Sequence, residues 1–441
     1  MATVAAPQST RQQRFEHAIS TSSIENHLQL LAAFRDLRRQ ASAVEDVPPP
    51  YSAGNAAPSS TRDQWTVVLL KALVRFEMYL TKVLPRAPDF AAPKPKLADL
   101  NIAENEDQTH PFHDVPDAFL PPLDVALIWS VYMLNPLHYN EDLHLVDSRY
   151  ALLRYRFPLG RVLDSPASRD TWAKLTGTPF DVLAWDSPSQ PVACPACGQA
   201  THIAWEDLAT DTWSAKCASC SSLVSRGSVL GKRWAADAAR WTLGGSDVAG
   251  WRMLGGALSP HNARFFQKDP FMPVLTRLFA NQRETTTANH NILDMPIWTT
   301  GKNLYGLITT GRGDPMRFYK AHRDVDEIGR AVLDEARQAI DRSQDKAQNL
   351  RSDLAQRVSL LMRCYAEGHP LSEAGLDLVR ATQRQFHFTE DMDALGWLDA
   401  PKQADAANVQ MRHYAWLGLA PLNESVIPTL DVGLGEKTRW I

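Results

Sequence analysis

Residues 122–136 read Pro-Leu-Asp-Val-Ala-Leu-Ile-Trp-Ser-Val-Tyr-Met-Leu-Asn-Pro. Proline suits the start of a helix, where the missing N–H has no partner to lose, and a second proline cannot continue one. The stretch between them therefore predicts a helix over 123–134. Almost every side chain in it is apolar, so no face can be left to water and the helix must be surrounded. It falls far short of the ~20 residues needed to cross a bilayer. Such a helix needs apolar partners.

The rest of the chain supplies them. On the N-terminal side, Ile24, Leu28, Leu31, Phe34 and Leu37 recur at helical spacing, with Ser22 or Ser23 as the expected N-cap. A Pro-, Ala-, Ser- and Gly-rich linker follows. A second helix is expected from Asp63 to Leu84, carrying Trp65, Leu69, Leu73, Phe76, Leu80 and Leu84 on one face, before a Pro-rich loop over 85–122. On the C-terminal side, helices are expected over Trp234–Thr242, Asn262–Asn281, the charged stretch Asp324–Ala366, Ala374–Arg384, Thr389–Leu395 and Ala404–Leu419. No repeat of fixed period is found. The expected fold is mainly α, a multi-helix globular protein with a small β zinc-ribbon insertion. Its divisions are a flexible N-terminus (1–21), an N-terminal helical region (22–189), the ribbon (190–225) and a C-terminal helical region (226–441).

With 441 residues, 44% hydrophobic and 22% charged, the composition is that of an ordinary globular protein, large enough for two or three domains. Its 46 basic and 50 acidic residues leave a net charge of −4, so no overall field draws it to nucleic acid or an anionic membrane. The first residues have no apolar core of a secretory signal, and the expected location is cytoplasmic or nuclear.

Of five cysteines, four form two tight pairs, Cys194-x2-Cys197 and Cys217-x2-Cys220, while Cys364 stands alone among apolar residues and reads as core. Two residues between cysteines let one turn offer both thiolates to one ion. Two such turns complete the closed tetrahedron of a structural zinc site. Thr201, Ile203, Trp205, Thr212 and Trp213 between the clamps are expected to form a short hairpin. The expected cofactor is one structural zinc ion. Glu206, Asp207, Asp211 and Lys216 make this insertion acidic, and basic residues cluster only later, at Arg226, Lys232 and Arg233. Phosphate recognition needs clustered Lys and Arg, so the ribbon reads as a staple or protein-docking surface rather than a nucleic-acid reader.

The stretch from Leu120 to Asp142 resembles the glycine-rich-domain-protein-like family, a domain of unknown function in plants and fungi, whose members read P-P-x-D-V-x-x-x-W-H-x-H-x-L-N-P-x-x-Y-x-E-D. Pro121, Pro122, Asp124, Val125, Trp129, Leu134, Asn135, Pro136, Tyr139, Glu141 and Asp142 match. The fungal branch is similar also in its cysteine insertion and in a second motif, to which Val426 through Leu434 correspond, including Asp431. In relatives a His-x-His pair beside an aspartate makes a reasonable metal or acid–base set. Here those positions are Ser130 and Tyr132, and the second motif lacks its histidines. An iron dioxygenase, a name some fungal relatives carry, needs two histidines and a carboxylate at one metal, and no convincing set is found.

Asp124 and Asp431 read either as caps of helix N-termini or as a paired acidic site. Trp129 reads as core and Asn135 as the close of its helix. Pro48, Pro49 and Tyr51 fit a WW-domain ligand of the PPxY type. His110 and His113, beside Asp114 and Asp117, offer a weaker metal set, and Arg312-Gly313-Asp314 reads as a turn. There is no Gly-rich phosphate loop, G-x-S-x-G or H-E-x-x-H. The expectation is a non-enzymatic scaffold with an unidentified protein partner. A metal-dependent enzyme of hydrolase or oxygenase type and a nucleic-acid-binding ribbon are its alternatives.

Overall fold

Ser20 starts the first helix. Its hydroxyl accepts the Ser23 N–H at 3.0 Å, the bond an N-cap makes to the first turn, and α1 runs Thr21–Ala43. The cap expected at Ser22 or Ser23 thus lies two or three residues earlier, because Ser20 stands outside the helix with its oxygen facing the orphan N–H. The structure, a computed structural model, describes residues 20–43, 64–87, 113–162 (without 136–137, 140–141 and 144–146), 166–242, 316–342, 365–399, and positions 362, 409 and 437.

Helix α2 (Gln64–Met78) buries Trp65, Leu69, Leu70, Leu73 and Phe76. The expected continuation to Leu84 loosens instead into a π turn, Tyr79–Val83, and a 3-10 turn, Leu84–Arg86. Pro85 explains the change: it has no N–H for the helical ladder, and its ring crowds the preceding turn. Helix α3 (Leu123–Met133) starts at Pro122, and every side chain from Asp124 to Tyr132 is buried. Its neighbours are α1, α2 and α9 (Leu378–Ala394). That last helix replaces the two expected over 374–384 and 389–395. Nothing between Arg384 and Thr389 breaks a helix. Asp377 begins it by accepting the Arg380 N–H at 3.1 Å, and Phe386 continues its apolar face onto Trp65, ring centres 5.1 Å apart. Residues 374–377 form the approach turn.

Between these helices lie a short parallel pair, β1 (His113–Asp114) with β2 (Tyr155–Arg156), and α4 (Ala167–Thr176). The cysteine module has two antiparallel hairpins, β3 (Ser189–Ala193) with β4 (Ala200–Ala204) and β5 (Ser214–Lys216) with β6 (Leu223–Ser225). One helical turn, α5 (Trp205–Leu208), separates them. The single hairpin expected between the clamps is therefore corrected: each Cys-x2-Cys turn closes its own hairpin, and Trp205 begins the intervening turn of helix. Val192, Ile203, Trp205, Trp213 and Val224 bury against the main core.

Helix α6 (Arg226–Thr242) continues directly from β6 and starts eight residues before the expected Trp234. With α7 (Met316–His322) and α8 (Val325–Arg342) it encloses a second, smaller core of Leu230, Trp234, Tyr319, Ile328 and Val332. Among the described residues, no helix is long and apolar enough to cross a membrane. The sites expected at Pro48, Pro49, Tyr51, His110, Glu141, Arg312, Cys364 and Asp431, and the helix over 262–281, lie outside the described residues, as does most of the helix over 404–419.

Candidate metal centre

The two cysteine turns repeat one geometry. In the first, the Cys194 N–H donates to the Gln199 carbonyl at 2.8 Å and the Gly198 N–H to the Cys194 carbonyl at 2.7 Å. In the second, Cys217 and Ser222 bond at 2.9 Å, and the Ser221 N–H meets the Cys217 carbonyl at 2.8 Å. The residue after each second cysteine takes the left-handed conformation, Gly198 at φ 80° and Ser221 at φ 58°. Glycine adopts that region freely, whereas serine does so at a cost that the surrounding turn must hold.

These turns bring all four sulfurs within 4.8 Å of one another. Cys194 and Cys220 Sγ are 3.7 Å apart, and Cys197 and Cys217 Sγ 3.6 Å. A disulfide requires ~2.05 Å. A tetrahedron with metal–sulfur bonds of ~2.3 Å has edges of ~3.8 Å, close to what is found. Cys194 and Cys217 are buried, and Cys197 and Cys220 face outward.

Backbone donors prepare the sulfurs for negative charge. The N–H groups of Cys220 and Ser219 pull the Cys217 thiol down to about 6. The Ser222 hydroxyl and N–H lower that of Cys220. Cys197 receives the Gln199 N–H, yet it is raised to about 12, because beside three other sulfurs it is the last to ionise. Four such thiolates in contact need a cation among them. The arrangement can hold one metal ion, and its four ligands leave no position for a substrate.

Among the described residues no other group of His, Cys, Asp or Glu side chains is placed to share an ion. His113 stands in β1 with its ring beside Tyr155, and Asp117 pairs with Arg161.

The sequence-motif residues meet in pairs inside the helical core. Asp124 is more than a helix cap. It accepts from Arg75 Nε at 2.6 Å and Nη2 at 3.3 Å, both side chains being buried. Its own N–H and that of Val125 also approach the carboxylate, so a cap contribution is present but secondary. Burial pushes its carboxyl up while Arg75 pulls it down. The remaining Arg75 donors reach the Pro179 and Phe180 carbonyls, each at 2.6 Å, and the guanidinium lies over Trp172.

Trp129 is fully buried, and its Nε1–H donates to the Tyr139 hydroxyl at 3.3 Å. Tyr132 donates to Asp142, which also accepts the Gly375 N–H at 2.8 Å. Asn135 closes α3: its side-chain amide donates to the Val131 carbonyl at 2.8 Å and its N–H to Tyr132 at 3.0 Å. Arg149 is buried between Glu77, at 2.7 Å from Nη1, and the Ser372 hydroxyl. A cleft of about 700 Å³ has Asp36, Gln40, Asp124, Arg169 and Phe180 on its walls, without Trp129. Both Asp124 oxygens are already engaged by Arg75.

Arg75 and Arg149 escaped the sequence reading. Arg75 had a signal: an arginine within Leu69–Phe76, on a helix with buried residues all round, needs a buried carboxylate. A scan against protein-family models finds no match to the chain, and neither the curated proteins nor the solved structures give one.

Proposed function

We propose that the chain is a non-enzymatic helical scaffold whose cysteine module is a zinc ribbon, holding one structural zinc and serving to dock a protein partner. The observation that carries this reading is the convergence of four sulfurs within 4.8 Å at the turns of two matching hairpins. Four soft thiolates in a tetrahedral arrangement select zinc among common divalent ions.

Other features agree. Asp211 of the module pairs with Arg380 of α9 at 2.7 Å, and Lys71 of α2 donates to the Trp185 carbonyl at 2.8 Å beside Trp205, so the module is seated on the helices. The nearby basic residues are engaged elsewhere: Arg226 with Asp377, Arg233 with the His369 and Ser372 carbonyls, and Lys232 over the Tyr319 ring. That leaves an acidic ribbon with little to offer a phosphate backbone. The family resemblance stands as part of the same proposal. Tyr132, at a position where relatives carry histidine, serves in it as a core residue bonded to Asp142.

Elemental analysis of purified protein tests the reading. One zinc per chain is expected, retained on dialysis. No zinc overturns it. A second, chelator-labile metal would favour the metal-dependent enzyme instead.

A further inference from the structure

The residue after helix α7 reaches the second cysteine turn from 101 positions away in sequence. The link between α7 and α8 is Arg323-Asp324, and Arg323 is a non-glycine residue at φ 59°. This corner sits tightly on α6. A Cβ at Gly231 would stand 2.6 Å from the Arg323 carbonyl oxygen, and one at Gly227 only 1.8 Å from the Asp324 carboxylate. The two glycines lie one helical turn apart and leave the room the corner occupies.

So seated, Arg323 donates from Nη1 to the Ser222 hydroxyl at 2.9 Å. That hydroxyl also stands beside the Cys220 sulfur and lowers its thiol. Ser222 thus places the guanidinium next to the second cysteine turn. One turn before Arg323, the buried Tyr319 hydroxyl has no hydrogen-bond partner among the described residues. Burial raises it, to about 12, against the pull of Arg323 and with a smaller push from Cys194.

Four thiolates around a divalent ion carry a net charge of −2 by formal count, and a closed site of this kind depends on outer groups to offset it. We infer that Arg323 and Tyr319 form the outer shell of the metal centre: Arg323 compensates the thiolate charge through Ser222, and the Tyr319 hydroxyl donates to Cys194 when the ion is bound. This inference rests on the zinc reading above. It makes the metal centre a joint property of the hairpins and α7. By linkage, the ion must then favour the docked corner as much as the corner favours the ion.

The test is the rate at which zinc passes from the full-length protein to a chromophoric chelator, with zinc content measured first. Asparagine tolerates the left-handed conformation, so Arg323→Asn removes the guanidinium without adding backbone strain. It should lose zinc ~10–100-fold faster, the usual scale for outer-shell partners. Tyr319→Phe, which keeps the ring in its core, should accelerate loss less. Arg323→Lys, which keeps the charge, should recover most of the wild-type rate. Amide exchange over 316–322 should rise when zinc is removed from the wild type. Unchanged release in both Arg323→Asn and Tyr319→Phe, in proteins each holding one zinc, overturns the inference and leaves the zinc reading intact. A Lys variant as fast as the Asn variant likewise removes the charge argument. Wild-type protein without zinc sinks both, and the initial zinc content tells the two failures apart.

Discussion

The helical core and the cysteine module both place strongly polar groups in apolar surroundings, and they satisfy them in opposite ways. In the core the chain itself supplies the acceptors. Arg75 meets Asp124 and two carbonyls, Arg149 meets Glu77 and Ser372, and Tyr132 meets Asp142. In the module the chain supplies donors to the sulfurs, but the four sulfurs face one another. Ionised, they are left with a charge that nothing within the tetrahedron opposes. A self-contained polar network specifies packing, whereas a convergent set of like ligands calls for a guest. Among the described residues, the module thus holds the convergent ligand set, and the polar side chains of 120–142 pair within the helical core.

Cys217→Ser should break the comparison most visibly. It removes one of the two buried ligands, and structural zinc binding amounts to roughly 10 kcal/mol or more in small metal domains. The variant should purify without stoichiometric zinc and lose amide protection over 189–225. The helices α1, α2, α3 and α9 should still unfold as one cooperative unit in denaturant. If protection in the hairpins is unchanged, the module folds without its guest and the contrast is lost.

Arg75→Ala attacks the other side. It strands the Asp124 carboxylate and the Pro179 and Phe180 carbonyls in the core, and breaking one partner of a buried ion pair costs about 3–5 kcal/mol. The denaturant midpoint should fall sharply, with zinc content unaltered. The double replacement Arg75→Met with Asp124→Leu should recover much of the loss, because removing both charges removes the unpaired one. A double variant as unstable as the single would show that the arginine's carbonyl bonds, rather than its charge pairing, hold this corner.

How far the sequence exposed this arrangement depends on whether the determining contacts are local. The apolar run between Pro122 and Pro136 and the two Cys-x2-Cys pairs are local, and α3 and the sulfur cluster follow from them. The hairpin pairing departs from the single hairpin expected because the strands flank each clamp, where Val192 and Val224 carry weaker signals than the residues between the clamps. The split expected within α9 failed for a tertiary reason. Phe386 packs on Trp65 far away in sequence, and this contact carries the helix through a stretch with little local pattern. Arg323 was invisible altogether, since a turn residue a hundred positions from Ser222 carries no spacing signal.

The seam between the two regions offers a milder perturbation. Arg226 and Arg233 of α6, which leaves the module directly, grip the turn before α9 through Gly368, His369, Ser372 and Asp377. His369 is buried in that grip, with Nδ1 accepting the Leu371 N–H at 3.2 Å. Burial, aided by Arg226, Arg233 and Arg380 and opposed by Asp377, lowers it from 6.5 to about 4. The unfolded chain therefore binds a proton that the folded chain refuses across that interval. Stability contributed by the neutral ring is fully present above pH 6.5 and is lost as pH falls toward 4, by up to ~1.4 kcal/mol per unit. His369→Asn keeps an acceptor near the Nδ1 position and removes the titration. Its plot of unfolding free energy against pH should be flatter than the wild type between pH 6 and 4.5, with near-equal stability at pH 8. Buried His27, lowered to about 3, should keep its own acid dependence in both proteins. Parallel plots would mean that the seam opens before the histidine is protonated. The two regions would then part in acid as independent bodies, not as one fold joined by these arginines.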